Sequence, residues 1–426
     1  MTILLLAIFG IGYAAIAFEN TIKINKTASS LISGVLCWVA YIFFTTNKIE
    51  VNNSLLNHLG DISGILFFLL GAMTIVELVD AHNGFDIITD FISQTDKQKL
   101  IWIIGFITFF LSAILDNLTT TIVLVSLLRK LIRKKEDRLL FIGIVIIAAN
   151  AGGAWTPIGD ITTTMLWIGG QITTVNIMQK LFLPSLICLI VPLIIVSFQL
   201  KGRVERSPTI LKETADTCST KNQKTILILG ILILILVPVF KTYTQLPPFM
   251  GMMLGLGILW VITEIMHKKM DHEQRKHLTL ANALHKIDIS SILFFLGILM
   301  AIAALETSGI LISVALWLTH TIGNLSIIIL SIGLSSAIID NVPLVAATQG
   351  MYHLIQYPVD SYLWEFLAYC TGTGGSILII GSAAGIAAMG MEKIDFFWYC
   401  RKISWLALTG YFAGAIVYII LQKLFY

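Results

Sequence analysis

The sequence predicts an all-α polytopic membrane protein built from two inverted repeats, each with a re-entrant hairpin and a broken transmembrane helix. Three observations carry that expectation. Apolar runs of bilayer-spanning length recur along the chain. Three stretches of the first half return in the second at a nearly constant offset. The Lys and Arg residues sit in loops that share one side only if one apolar segment enters and leaves the membrane on the same face.

Of 426 residues, 57% are hydrophobic and 12% charged, and mean hydropathy is +0.87. A soluble globular chain carries about twice that charged fraction. The apolar runs are roughly 17–25 residues each, the length a bilayer requires, so the lipid bilayer is the expected surrounding. The net charge of +3 comes from basic residues in short loops and implies no nucleic acid. Cys37, Cys188, Cys218, Cys370 and Cys400 form no CxxC pair, which argues against a disulfide framework or a zinc site. HExxH and nucleotide-binding loops are absent, and no Cys/His or Ser/His arrangement stands out, so neither an enzyme nor a cofactor is expected. Residues 1–18 read as the first span with its N-terminus outside. Ala15-Ile16-Ala17 resembles a cleavage site, but no basic residue precedes the run, and Lys23 and Lys26 follow it.

The repeat is visible in three pairs. Asp61-Ile62-Ser63-Gly64-Ile65-Leu66-Phe67-Phe68-Leu69 matches Asp288-Ile289-Ser290-Ser291-Ile292-Leu293-Phe294-Phe295-Leu296. Leu111-Ser112-Ala113-Ile114-Leu115-Asp116-Asn117 matches Ser335-Ser336-Ala337-Ile338-Ile339-Asp340-Asn341. Gly152, Gly153 and Gly159 match Gly374, Gly375 and Gly381. The offsets are 227 (Asp61 to Asp288), 224 (Asp116 to Asp340) and 222 (Gly159 to Gly381). Internal repeats of this kind mark transporter folds.

Loops 19–27, 94–100, 129–138, 201–224, 267–287 and 391–402 hold most of the Lys and Arg. All six are cytoplasmic if residues 101–132 form a hairpin with Asp116-Asn117 at its tip. The repeats are then inverted, with N- and C-termini outside a bacterial cytoplasmic membrane. The expected units are N-terminal scaffold spans in 1–60 and a first repeat in 61–200. That repeat holds a span 61–80, an arm helix 84–97, a hairpin 101–132, a broken helix 139–172 and a span 181–200. Cytoplasmic loops and two linking spans fill 201–287. A second repeat, 288–426, holds a span 288–306, an arm 307–322, a hairpin 324–352, a broken helix 362–390 and a span 403–425. Both arms are expected to lie along the interface.

Three Gly and one Pro fall within Asn150-Ala151-Gly152-Gly153-Ala154-Trp155-Thr156-Pro157-Ile158-Gly159-Asp160 and oppose continuous helix. Thr371-Gly372-Thr373-Gly374-Gly375-Ser376 occupies the matching place. Unwound backbone at membrane depth survives only where protein buries it or it lines a wet cavity. Paired breaks therefore point to a transport site.

Asp116, Asp160 and Asp340 lie inside membrane segments, where a charge costs at least ~2.5 kcal/mol. Asp116 and Asp340 can also cap the helices that follow them. Carboxylates repel an anionic solute and attract a small hard cation. Oxygen ligands are at hand on Asn117, Thr119, Thr120, Asn150, Thr156, Asn341, Thr371, Thr373 and Ser376, and no Cys or His joins them, which disfavours softer metals. Na⁺ or Li⁺ held at Asp116, Asp160 and Asp340 is the expected cargo. Burial disfavours the charged form of a carboxylate, so the same group can hold H⁺ in place of the cation. Exclusive binding of one or the other is an antiport mechanism. Glu77, Asp80 and Glu306, at span ends, are secondary candidates. His82 reads as an interfacial histidine.

Ile114-Leu115-Asp116-Asn117-Leu118-Thr119-Thr120-Thr121, Gly153-Ala154-Trp155-Thr156-Pro157-Ile158-Gly159-Asp160 and Val76-Glu77-Leu78-Val79-Asp80-Ala81-His82 resemble the NhaD-type Na⁺/H⁺ antiporters. The likeness runs from about residue 10 to 426. It implies membership of the ion transporter superfamily, with arsenite permeases and dicarboxylate transporters. It further implies a homodimer working as an elevator, with arm helices joining scaffold and transport domains. Dicarboxylate relatives carry Ser-Asn-Thr at the tips. Here Asp replaces Ser at both, and Pro343 interrupts the second. The competing expectation is another solute on the same fold, through arsenite efflux or carboxylate uptake.

Overall fold

The computed structural model describes residues 1–17, 19–85, 87, 92, 94–205, 220–268 and 278–425. Regular structure among them is helical, apart from an isolated antiparallel bridge between Asp96 and Arg203. Seven helices among the described residues are long and apolar enough to cross a bilayer.

The chain begins with α1 (Thr2–Ala17) and α2 (Lys26–Phe44), the latter capped by Asn25, whose side chain accepts from Thr27 N at 2.8 Å. Helix α3 is one unbroken element, Lys48–Ala81. The expected division at residue 60/61 therefore falls inside a helix. Asn47 caps its start by accepting from Glu50 N at 3.3 Å, and no Pro interrupts residues 48–60, so the polar stretch simply continues the helix. At 1.5 Å per residue, α3 is about 50 Å long, well beyond the ~30 Å hydrocarbon core. Six of the fourteen residues of the arm expected at 84–97 (86, 88–91 and 93) lie outside the described residues.

Helices α4 (Lys97–Ser112) and α5 (Asn117–Leu131) form a hairpin. Its two ends are tied to one short stretch of chain. Lys97 N donates to Gly202 O at 3.1 Å, Val204 N to Thr95 O at 2.8 Å, and Arg133 N to Glu205 O at 2.9 Å. The pair therefore starts and finishes on the same face. Next come α6 (Lys135–Gly153), a break over 154–160, and the short α7 (Ile161–Ile168). Helix α8 (Thr174–Gln199) follows, with Pro184 and Pro192 inside it.

Helices α9 (Thr220–Thr244) and α10 (Pro248–Met266) pack on each other and on α3. After a short α11 (Leu280–Lys286) comes α12 (Ile289–Thr307), capped by Asp288. It packs along α2, where Trp38 Nε1 donates to Met300 O at 2.9 Å. Helix α13 (Ile310–Ile322) ends at Gly323, whose φ of 70° turns the chain by 117° into the next helix. Its outward side chains include Ile312, Leu316 and Trp317. Ser313, Thr319, His320 and Thr321 are exposed as well, so the outward surface mixes apolar and polar residues, as an arm lying along the interface at 307–322 would.

A second hairpin joins α14 (Leu325–Ser335) to α15 (Asn341–Met351). Its ends also converge. Ser326 Oγ pairs with the Tyr362 hydroxyl at 2.7 Å, and Tyr352 stacks edge-on with Tyr357, whose carbonyl accepts from Trp364 Nε1 at 2.9 Å. The second broken helix is α16 (Tyr362–Gly374), then α17 (Ala383–Glu392). After Phe396–Tyr399 and a π-helical turn, Cys400–Ser404, the chain closes with α18 (Trp405–Phe425), packed on α8.

The two halves repeat the same close approaches. Ser112 Oγ donates to Ala149 O at 2.6 Å, and Ser336 Oγ to Thr371 O at 2.9 Å. A Cβ at Gly152 would strike the Phe109 carbonyl, and one at Gly374 would strike the Gly333 carbonyl. In each half a hairpin arm lies backbone-to-backbone on the helix that breaks.

Candidate functional site

Each hairpin tip meets a helix break, and their polar side chains converge on one carboxylate. Asp116 is the N-cap of α5. Its carboxylate folds back to accept Thr119 N at 2.7 Å and Thr119 Oγ1 at 2.9 Å. Its φ of 126° is a left-sided conformation rare for a non-glycine residue, costing about 1–3 kcal/mol where surrounding structure enforces it. The next residue, Asn117, points the other way. Its Nδ2 donates to Asp160 Oδ2 at 2.7 Å and to Asn150 Oδ1 at 3.0 Å.

Asp160 is the N-cap of α7, and only 2% of it is exposed. Its Oδ1 accepts from Thr162 N and Thr162 Oγ1, both at 2.9 Å. From the second hairpin tip, Asn341 Nδ2 lies 3.4 and 3.5 Å from the two carboxylate oxygens. Asn150 Nδ2 donates to Ser382 Oγ at 3.0 Å, and Ser382 caps α17. The cluster is thus supplied by both hairpins and both breaks. A buried carboxylate is tolerable only when hydrogen bonds replace its hydration, and here backbone, hydroxyl and amide donors do so. The positive end of α7 adds to this.

Of the residues expected at the site, Asn117, Asn150, Asp160 and Asn341 come together. Asp116 and Asp340 do not close on them as ligands of one point. Among the described residues no group of three or more His, Cys, Asp or Glu side chains is placed to hold a metal ion. The reason is local. At each tip the carboxylate caps its own first turn, Asp116 through Thr119 and Asp340 through Val342, and the Asn that follows reaches inward. Asp340, half-buried, caps α15 through Val342 N at 3.3 Å and lies beside Tyr13 of α1.

Thr119 is engaged with Asp116. Thr156 Oγ1 donates to Ala113 O at 2.7 Å and pins the break to the hairpin turn. Thr120 is buried, and its hydroxyl has no hydrogen-bond partner. Thr371, Thr373 and Ser376 do not join the cluster. Their hydroxyls donate to Leu367 O, Tyr369 O and Thr373 O, each at 2.7 Å, the usual back-bonding of Ser and Thr within a helix. Thr162 is one of the hydroxyl residues the sequence offers beside the break, whereas Ser382 was not among the expected site residues. Ser382 was legible only as the residue standing where the first half has Asp160.

Glu77 and Asp80 line a cavity of about 440 Å³ between the end of α3, α5 and residues 286–288, with Thr119 on its wall. Glu77 Oε1 lies 3.1 Å from Lys286 Nζ. Glu306, at the end of α12, is packed against Gly350 of the second hairpin and lies near His58 and His353. Glu392, at the end of α17, takes Arg138 at 2.9 Å and also Arg129. Arg129 further bonds the Met391 carbonyl. This ties α5 and α6 to the second broken helix.

Residues 4–372 match the family model described as citrate transporter. "Sodium/proton antiporter 1" of Arabidopsis thaliana is 50% identical, over 98% of this chain and 72% of its own length. "Sodium/proton antiporter 2" of the same plant is 48% identical, over 97% and 98%. The "Na(+)/H(+) antiporter NhaD" of Vibrio cholerae is 28% identical, over 98% and 91%. The family match covers most of the chain and the relatives align along nearly all of it, so the protein is a multi-pass membrane transporter of the citrate transporter (CitMHS) family, related to sodium/proton antiporters that include the NhaD type.

Proposed function

We propose that the protein exchanges Na⁺, or Li⁺, for H⁺ across its membrane, with cation and proton competing for Asp160. The observation that carries this reading is a single buried carboxylate at the meeting point of two hairpin tips and two helix breaks, surrounded by amide and hydroxyl groups. Its donors hold the carboxylate in place, and the Asn117 and Asn341 side-chain oxygens and the break carbonyls are the hard ligands for an alkali cation. Asp116 and Asp340 add negative field at the tips. The relatives named as sodium/proton antiporters support the same cargo. The family description names citrate, but a tricarboxylate brought to a buried carboxylate meets like charge with no arginine or lysine among the cluster residues.

The mechanism we infer is an elevator of inverted repeats in a homodimer. The recurring hairpin-to-break contacts support the repeat. The cavity beside α5, set against the packed Gly350–Glu306 contact beside α15, supports one open and one closed approach to the site. Membrane orientation follows the Lys and Arg loops, with residues 129–138 and 201–205 cytoplasmic and both termini outside.

Purified protein in liposomes tests the reading. An imposed Na⁺ gradient is expected to drive opposite proton flux. Na⁺ movement without proton counterflow at any pH, or gradient-driven citrate uptake, defeats it.

A further inference from the structure

We propose that Lys286 is a tethered substitute for the transported cation, holding Glu77 in the cavity until an entering ion displaces its ammonium. The inference rests on the antiporter reading above. Lys286 is the last residue of α11, and its Nζ lies 3.1 Å from Glu77 Oε1. Among the described residues it is the one basic side chain lining the cavity, against three carboxylates, Glu77, Asp80 and Asp288. Asp288 is committed to capping α12, accepting Ser291 N at 3.2 Å. An acid-rimmed cleft with low-dielectric walls concentrates cations, and here the walls include Met73, Val76 and Ile122.

The cavity abuts the first turn of α5, at the first hairpin tip. Thr119 lines it and donates to Asp116, and Asn117 beside it donates to Asp160. A cation that reaches Asp160 from this cavity starts beside Glu77, the group that Lys286 occupies. The geometry also sets the strength of the contact. The Lys286 and Glu77 side chains are 49% and 22% exposed, so the pair stays hydrated and weak. A bidentate arginine would close the route; a single exposed ammonium biases it and yields to millimolar cation.

Coupled Na⁺/H⁺ flux is measured in proteoliposomes, with Na⁺ supplied on the cavity side. Lys286→Met is expected to lower the half-maximal Na⁺ concentration about two- to fivefold, the range set by an exposed pair of this kind, with a smaller change in maximal rate. Lys286→Arg is expected to keep or raise the wild-type value. Glu77→Gln added to Lys286→Met is expected to remove the gain. Lys286→Met with a wild-type melting profile and an unchanged or raised half-maximal Na⁺ concentration overturns the proposal. If Lys286→Met does not fold, Glu77→Gln alone decides. It leaves the ammonium unpaired in the route, so a raised value supports the proposal and an unchanged one overturns it. Wild-type protein without coupled exchange would defeat the antiporter reading itself; wild-type exchange with these variants unaltered defeats only the role of Lys286.

Discussion

Asn117 donates to Asp160 at 2.7 Å, joining the tip of the first hairpin to the break in the next helix. The same amide also reaches Asn150 at 3.0 Å, so one side chain registers the tip against both ends of the break. Hydrogen bonds to charged groups contribute about 1.5–3 kcal/mol. Asn117→Ala is therefore expected to raise the half-maximal Na⁺ concentration at least about tenfold while the protein still folds. Flux assays paired with a melting curve check this; an unchanged Na⁺ dependence would remove Asn117 from the site.

Asp160 itself is expected to be indispensable. Asp160→Asn preserves size and one acceptor oxygen but leaves no charge at the meeting point of the four elements. Coupled exchange should fall to the background of empty liposomes. Addition of Na⁺ to the detergent-solubilised wild type at fixed pH should release protons, and the variant should release none. Asp160→Asn with normal exchange would move the cation site elsewhere, to Asp116 or Asp340.

Much of this arrangement was legible in the sequence, for identifiable reasons. The breaks showed because Gly and Pro oppose continuous helix, and the hairpin showed because it lets Arg133-Lys134-Lys135 share one side with the other basic loops. The capping role of Asp116 and Asp340 was legible, but not that the neighbouring Asn would be the residue to reach Asp160. Both residue types offer oxygens, and only the fold reveals that Asp116 is consumed by Thr119 while Asn117 faces Asp160. Thr371 and Thr373 looked like ligands because hydroxyls are common ones, yet a helix offers each a carbonyl four residues back. Ser382 was hidden by its ordinary residue type. Glu392 was hidden by distance along the chain, since its arginine partners lie more than 250 residues away.

That distant pairing gives a stability prediction. The Glu392 side chain is 3% exposed and is shared by Arg129 and Arg138. Removing one partner of a buried ion pair leaves uncompensated charge and costs about 3–5 kcal/mol. Arg129, whose side chain is 45% exposed, can rehydrate, so the lower end of that range applies. Glu392→Gln is expected to lower the melting temperature clearly while leaving the half-maximal Na⁺ concentration near wild type, because Glu392 touches none of the cluster. A shifted Na⁺ dependence with an unchanged melting temperature would assign it to transport instead.

The last prediction separates packing from chemistry. Gly152 and Gly374 occupy matching places, and an added Cβ at either would strike a backbone carbonyl of the adjacent hairpin arm, Phe109 or Gly333. Backbone cannot yield as a flexible side chain does, so overpacking of about 1–3 kcal/mol is expected from Gly152→Ala or Gly374→Ala. Because each glycine sets how closely a hairpin approaches its broken helix, the strain is passed to the cluster. Gly152→Ala pushes on the arm that ends at Asp116-Asn117, next to Asp160. Gly374→Ala pushes on the arm that ends at Asn341, whose amide is already 3.4 Å from the carboxylate. Gly152→Ala should therefore impair both stability and Na⁺ dependence, while Gly374→Ala should lower stability with the smaller change in Na⁺ dependence. Melting temperature and half-maximal Na⁺ concentration, measured on the two variants side by side, check the asymmetry; equal effects on Na⁺ dependence would mean that both tips contribute alike.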